Sequence, residues 1–325
     1  MDKITLGRSG LDVTPIAFGT WALGGDWGPT DKDTATAAVR SARDLGINFF
    51  DTAQAYGFGV SEEMLATALR DDLTHRRDEI IIATKGGIRP VDGGIVRDSS
   101  PAFLREGVDA SLMALDVDYI DLYQVHWPDS QVAFEETAAA LQEIFDEGKI
   151  RHIGVSNFDD KQMTSFSAVR PVETLQPPYH LFRRDIEEDV LPYCERENVG
   201  VLVYSPLASG ILSGAMDENA VFPEGDWRGR SPVYRGDNFK INVGVARALQ
   251  GYAQEALGCS LSQLAIAWVL AHPAVHVAIL GSRNPKHVAE AIEAASLKLS
   301  EEDHQQIGKI MSSAIPFGGP SPEGF

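Results

Sequence analysis

Pro15-Ile16-Ala17-Phe18-Gly19-Thr20-Trp21 is the stretch on which the fold turns. Its short apolar run, with turn residues behind it, reads as a buried β-strand. In a doubly wound dinucleotide fold such a first strand is followed by Gly-x-Gly-x-x-Gly, whose glycines let the backbone approach a pyrophosphate. Here Gly19 is followed by Thr20 and Trp21, and that motif occurs nowhere in the 325 residues. Further runs of the same character lie near 47–50, 79–83, 119–125, 150–155, 172–175, 199–204 and 275–280. Stretches with helical spacing alternate with them, at 34–45, 61–70, 102–115, 134–147, 160–168, 186–198, 261–271 and 285–295. Pro101 and Pro285 stand where a first helical residue belongs, and Gly46 and Gly148 follow helical runs as stop signals. Eight strands alternating with eight helices predict a parallel sheet, and repeats over this length predict its closed form, a (β/α)8 TIM barrel.

The barrel is expected to be one domain spanning 1–325. Lys3 to Leu6 and Leu11 to Val13, around Ser9-Gly10, read as an N-terminal β-hairpin capping the barrel bottom. Residues 213–245 break the rhythm with Gly214, Pro223, Gly225 and Arg228-Gly229-Arg230. They read as a long loop after strand seven, of the size of a functional lid, and so as a candidate cover for a bound cofactor. Residues 312–325, with Pro316, Pro320 and Pro322, read as an irregular tail.

A net charge of −19 repels polyanions and argues against nucleic acid or an anionic membrane as partner. A local basic patch can still hold a phosphorylated cofactor. Two cysteines, Cys194 and Cys259, are too few for a disulfide framework, so a reducing, cytoplasmic setting is expected. The N-terminal residues lack a signal-peptide core, and the apolar run Leu264 to Ala271 is eight residues, too short to span a bilayer. A monomer is expected.

In a β/α barrel the active site lies at the C-terminal ends of the strands. Strand one is followed by Gly19-Thr20-Trp21, and strand two by Asp51-Thr52-Ala53-Gln54-Ala55-Tyr56-Gly57. Strand three ends at Thr84-Lys85-Gly86-Gly87, strand four at His126-Trp127-Pro128, and strand five at Ser156-Asn157. Gln176, Tyr204-Ser205-Pro206-Leu207 and Gly281-Ser282-Arg283 follow the last three. Asp51, Tyr56, Lys85 and His126 bring a carboxylate, a phenol, an amine and an imidazole to one rim. A tyrosine of ordinary pKa, about 10, is a poor proton donor at neutral pH. An ammonium beside it favours the phenolate, and a carboxylate can hold that ammonium. His126 can orient a carbonyl oxygen. Side chains cannot supply hydride, so a cofactor must. Tyr204 can stack on a nicotinamide, and Ser156, Asn157 and Gln176 can bond its carboxamide. Ser282 and Arg283 precede a helix N-terminus, which favours phosphate.

Two rivals are weaker. Gly154-Val155-Ser156-Asn157-Phe158 begins like a nucleophile elbow, but Phe158 stands where the second glycine belongs. His272 and His276 are four apart, but Pro273 disfavours the shared helical face that a metal pair needs. No metal is expected.

These residues resemble the aldo-keto reductases, along nearly the whole chain. Asn48 to Gly57 is similar to the family's strand-two signature, and Lys149-Ile150-Arg151-His152-Ile153-Gly154-Val155-Ser156-Asn157-Phe158 to its strand-five signature. Tyr123 to Asp129 and Gln176 to Phe182 are similar to segments of the bacterial general-stress and inositol-operon reductases. The resemblance implies NADPH-dependent reduction of a small aldehyde or ketone, reversible, with the tetrad Asp51, Tyr56, Lys85 and His126; NADH is the alternative cofactor. It implies cofactor contacts at Thr20, Trp21, Asp51, Ser156, Asn157, Gln176, Tyr204, Ser205, Leu207, Ser209, Gly210, Gly281, Ser282, Arg283 and Glu290. Many relatives carry Gln and Asn at His287 and Ala291, positions that touch the adenosine. Trp21, Phe58 and Trp127 are expected at the substrate mouth. The alternative on the same fold is a catalytically weak nicotinamide-binding sensor or regulatory subunit.

Overall fold

The computed structural model describes residues 1–25 and 31–318. The chain opens with a small antiparallel hairpin, β1 (Ile4–Thr5) and β2 (Asp12–Val13). The barrel begins with β3 (Ile16–Gly19), β4 (Phe49–Asp51) and β5 (Ile81–Gly86). A second hairpin, β6 (Ile88–Val91) and β7 (Gly94–Arg97), stands above β5. The barrel continues through β8 (Ile120–Val125), β9 (Ile150–Ser156), β10 (Thr174–Gln176), β11 (Gly200–Val203) and β12 (Val277–Gly281). All barrel pairs are parallel, and β12 closes on β3, giving the (β/α)8 barrel the alternation predicted. Register sets one rim: Gly19 pairs with Asp51, Asp51 with Ala83, and Gln176 with Ser156.

Side chains alternate across each strand. Ala17, Phe49, Ile81, Ala83, Leu122, Leu202, Val277 and Ile279 fill the interior, joined by Leu6 and Val13 of the hairpin. The hairpin therefore plugs the barrel at its N-terminal end. Gly7, at φ 52°, makes this approach possible, because a Cβ there would stand 2.3 Å from the Gly200 nitrogen. Ile16, Phe18, Phe50, Ile82, Tyr123 and Val125 face outward into the layer beneath the helices.

The helices are α1 (Lys32–Asp44), α2 (Val60–Ala68), α3 (Arg70–His75), α4 (Pro101–Leu115), α5 (Phe134–Asp146) and α6 (Asp160–Ser167). They continue as α7 (Val190–Glu197), α8 (Gly236–Tyr252), α9 (Leu261–Leu270), α10 (Pro285–Ala294) and α11 (Glu301–Met311). Three elements correct the sequence reading. The loop expected over 213–245 ends at Arg235, because 236–245 belong to α8. Gly236, Asn238 and Gly244 are weak helix formers and hide that pattern; packing of Phe239, Val243, Ala246 and Leu249 overrides them. α11 buries only Ile307 among its residues and so shows little apolar period, although Ser300 and Asp303 form a capping box at its start. The β6–β7 hairpin turns on Asp92-Gly93, a dipeptide that signals such a turn.

The tail has no regular element through Gly318 but is not loose. Asn242 bonds both the nitrogen and the carbonyl of Ile315, and Phe317 stacks on Phe182 at 5.4 Å. The expected tail beyond Gly318 lies outside the described residues. Beneath Phe317, His180 is buried and its Nδ1 accepts from the Phe182 amide at 3.2 Å. Burial, helped by the nearby Arg183 charge, pushes its imidazole down to about 3. The unfolded chain binds that proton near pH 6.5 while the folded chain does not. The unfolded state then binds more protons, so stability rises with pH across this window and falls as pH drops below about 6.5, by up to about 1.4 kcal/mol per unit. Urea unfolding between neutral and mildly acid pH is expected to show a shallower pH slope in His180→Asn than in the native chain. Equal slopes would contradict this assignment.

Candidate active site

The strand ends bring the four expected groups together. Asp51 is the last residue of β4, Lys85 lies within β5, and both are buried. The Lys85 ammonium donates to Asp51 Oδ2 at 2.8 Å, to the Thr52 carbonyl at 2.9 Å and to Tyr56 Oη at 3.3 Å. Those contacts account for its three protons. Tyr56 reaches the site from the loop after β4, and its ring meets the His126 imidazole edge-on at 5.7 Å. A charge pair this deep gains little net stability, since desolvation offsets the attraction. Its value lies in fixing a cation against a phenol.

A second layer joins this cluster to β9, β10 and β11. Gln176 Nε2 donates to Asp51 Oδ1 at 2.8 Å, so both carboxylate oxygens are held. Ser156 Oγ donates to the Gln176 carbonyl at 2.8 Å. Asn157, at φ 63°, donates from Nδ2 to the His126 carbonyl at 3.0 Å and accepts from the Tyr204 hydroxyl at 2.8 Å. The four residues expected at a nicotinamide thus bond one another and the tetrad. Asn157 reaches into that network rather than standing apart as a ligand contact.

Above them a cavity of about 490 Å³ runs from Tyr56 and Asp51 to the start of α10. Gly19, Trp21, Gln176, Tyr204, Ser205, Leu207, Ser209, Gly210, Gly281, Ser282, Arg283 and His287 line it. Glu290 lies instead on an adjoining cavity of about 180 Å³, shared with Leu207, Gly281, Ser282 and His287 and floored by Ala291. Thr20 lines neither: it is buried, and its hydroxyl donates to the Asp51 carbonyl at 3.2 Å. Ser282 Oγ is turned back to Asn284, whose own side chain caps α10 at Lys286. The backbone there presents a helix N-terminus to the cavity.

Of the expected mouth residues, Trp21 lines the cavity. Trp127 follows His126, is mostly buried, and carries the Arg97 guanidinium 4.8 Å over its indole. Phe58 is half exposed, at φ 49°, and lies outside the cavity lining. The reading of the strand ends missed Trp227 and Arg228. Trp227 stacks on Trp21 at 5.9 Å, and Arg228 lines the cavity and donates to the Ser209 carbonyl at 3.1 Å. Against the cost of burial, hydrogen bonds and charge from Arg228, and charge from Arg283, hold the Asp226 carboxyl low. Arg228 sits in the very insert the sequence marked as irregular. No strand precedes it, so no strand end pointed to it.

His272 Nδ1 accepts the Ala274 amide, and His276 Nδ1 lies 3.2 Å from both the Val201 amide and the Ala274 carbonyl. Among the described residues no group of three His, Cys, Asp or Glu side chains is placed to hold a metal ion. No described helix is long and apolar enough to cross a membrane.

Comparison with known proteins identifies the family. Residues 15–312 match the model of the Aldo/keto reductase family. The chain is 40% identical over 316 residues to aldo-keto reductase YhdN of Bacillus subtilis, covering 97% of this chain and 95% of that protein. It is 33% identical over 323 residues to aldo-keto reductase yakc (NADP(+)) of Schizosaccharomyces pombe, covering 98% and 94%. Glycerol dehydrogenase AKR11B4 from Gluconobacter oxydans superposes with a TM-score of 0.88 at 36% identity, with 98% of each chain covered. The tetrad around Lys85, the barrel that carries it and these matches place the chain in one family: it belongs to the aldo/keto reductases and is an oxidoreductase.

Proposed function

We propose that this protein reduces the carbonyl of a small aldehyde or ketone at the expense of NADPH, reversibly, with Tyr56 as the proton donor. One observation carries the reading: the Lys85 ammonium is bonded at once to Asp51 and to Tyr56 at the floor of the long cavity. The cavity suits a dinucleotide, with Tyr204 and Gln176 at the end near the tetrad and the α10 N-terminus, Ser282 and Arg283 at the other. A bound nicotinamide supplies hydride to the carbonyl carbon. The protein's own part is electrostatic and positional. Asp51 and the Thr52 carbonyl hold Lys85 in place, and its ammonium favours the phenolate that Tyr56 becomes after giving its proton to the developing alkoxide. His126 lies beside the phenol ring and can bond the same oxygen, fixing its approach. Trp21 lines the cavity, Trp127 and Phe58 stand outside its lining on the loops after β8 and β4, and Arg228 reaches the cavity from the loop after β11, with Trp227 stacked on Trp21.

Arg283 supports NADPH over NADH, because a guanidinium suits the 2′-phosphate that distinguishes them. His287 and Glu290 stand further along, on the adenosine side of this reading. We infer a single-domain monomer acting in a reducing compartment, consistent with two unpaired cysteines, of which Cys194 is buried and pushed up to about 12. The bonded tetrad favours an enzyme over a nicotinamide-binding sensor. A panel of aldehydes, ketones and sugars with NADPH and NADH separates the two, since cofactor binding without turnover on any of them would support the sensor.

Two substitutions test the assignment. Tyr56→Phe is expected to lower carbonyl reduction by about 100-fold or more while NADPH still binds, as read by fluorescence titration. Turnover retained in that variant would refute the proton-donor role. Arg283→Ala is expected to weaken NADPH by about tenfold or more, with little change for NADH, as a charge-assisted bond to phosphate is lost. Equal losses for both cofactors would contradict a 2′-phosphate contact.

A further inference from the structure

Two consecutive residues in the first turn of α2 reach the proton-transfer site from behind, and no step above uses them. Ser61 is fully buried; its Oγ lies 2.7 Å from Thr20 Oγ1 and accepts from Thr52 Oγ1 at 3.2 Å. Glu62 is 1% exposed, and its Oε1 accepts from Thr84 Oγ1 at 2.6 Å. Thr52 is the residue whose carbonyl holds Lys85, and Thr84 is the residue before Lys85 in β5. One turn of helix is therefore tied to the ends of β3, β4 and β5, on the outer face of the strands whose inner face carries the reaction.

A carboxyl is a costly residue for a helix–barrel interface, where an apolar side chain would pack without desolvating a polar group. Burial pushes the Glu62 carboxyl up, against the Thr84 and Ser111 hydroxyls and the Lys85 charge, which draw it down. The group it serves has little slack. Lys85 Nζ meets Tyr56 Oη at 3.3 Å, the long end of a hydrogen bond, so a small retreat of β5 breaks the contact.

We propose that Glu62 is a positioning residue for proton transfer: through its bond to Thr84 it sets the depth of β5 at which Lys85 Nζ meets Tyr56 Oη, with Ser61 fixing the facing ends of β3 and β4. The proposal rests on the reading of Tyr56 as proton donor. It is tested with Glu62→Leu, Glu62→Gln, Thr84→Val and the Leu/Val double variant, each in the full chain. Loss of the bond is expected to lower kcat by about tenfold or more in Glu62→Leu and Thr84→Val, with KM and NADPH affinity near native. Glu62→Gln keeps an acceptor for Thr84 and is expected to keep the native kcat. The double variant is expected to be no worse than either single, because both break one bond.

A second readout needs no substrate. Carbon-13 NMR of ring-labelled tyrosine, assigned through Tyr56→Phe, gives the pH at which Tyr56 ionises. With Lys85 drawn back, that midpoint is expected to rise in Glu62→Leu and Thr84→Val and to stay native in Glu62→Gln. A role confined to general stability would lower the thermal midpoint without moving the Tyr56 titration. A native kcat and a native Tyr56 midpoint in both Glu62→Leu and Thr84→Val would overturn the proposal. So would a Glu62→Gln variant as impaired as Glu62→Leu. If Glu62→Leu does not fold, Thr84→Val decides. If the native protein reduces no carbonyl compound, the functional reading falls, and the Tyr56 midpoint still decides the positioning role.

Discussion

The burial of one ammonium organises this structure. Lys85 is 0% exposed, above the aliphatic and aromatic side chains that fill much of the barrel interior. A cation there is tolerable only with its protons matched and an opposite charge in contact. Asp51, the Thr52 carbonyl and Tyr56 meet that demand, and Gln176 holds the other oxygen of Asp51. The three partners of Lys85 come from the end of β4 and the loop after it, and Gln176 comes from the end of β10. The ion pair with its full set of partners therefore depends on the placement of β4, β5 and β10.

The rest of the fold keeps that placement. The N-terminal hairpin stoppers the far end with Leu6 and Val13, so the interior beneath the pair stays apolar. Ser61 and Glu62 tie α2 to the strand ends from outside. On the open side, Trp227 on Trp21 and Arg228 on Ser209 bring the long loop down over the cavity. The tail, through Ile315 on Asn242 and Phe317 on Phe182, packs α8 against the turn after β10. Low dielectric below, a held cation at the floor and a groove above are what hydride transfer to a carbonyl requires of a protein.

Much of this was legible in the sequence, for an identifiable reason. Strands buried on both faces give unbroken apolar runs, and the polar residue ending each run stands out against it. Asp51, Lys85, His126, Ser156, Gln176 and Tyr204 were found that way. Residues with no strand before them were not. Arg228 and Trp227 lie in an insert whose course is decided by packing on Trp21, and α8 is hidden by Gly236 and Gly244. Glu62 carried no signal at all, because a glutamate in the first turn of a helix is ordinarily a solvated residue near the positive end of the dipole. Only the fold shows it buried. The family resemblance pointed also to Thr20 and Glu290, and the structure sets Thr20 behind Asp51 and Glu290 on a smaller cavity that shares Leu207, Gly281, Ser282 and His287 with the long one.

In the mechanism proposed above, the Lys85 ammonium makes Tyr56 a competent proton donor. The most direct measurement is a single turnover, with NADPH bound in advance and hydride transfer followed by loss of the reduced cofactor's fluorescence, comparing the native chain with Lys85→Met. Lys85→Met is expected still to bind NADPH but to transfer hydride about 100-fold or more slowly at neutral pH. Transfer at the native rate in Lys85→Met would contradict it.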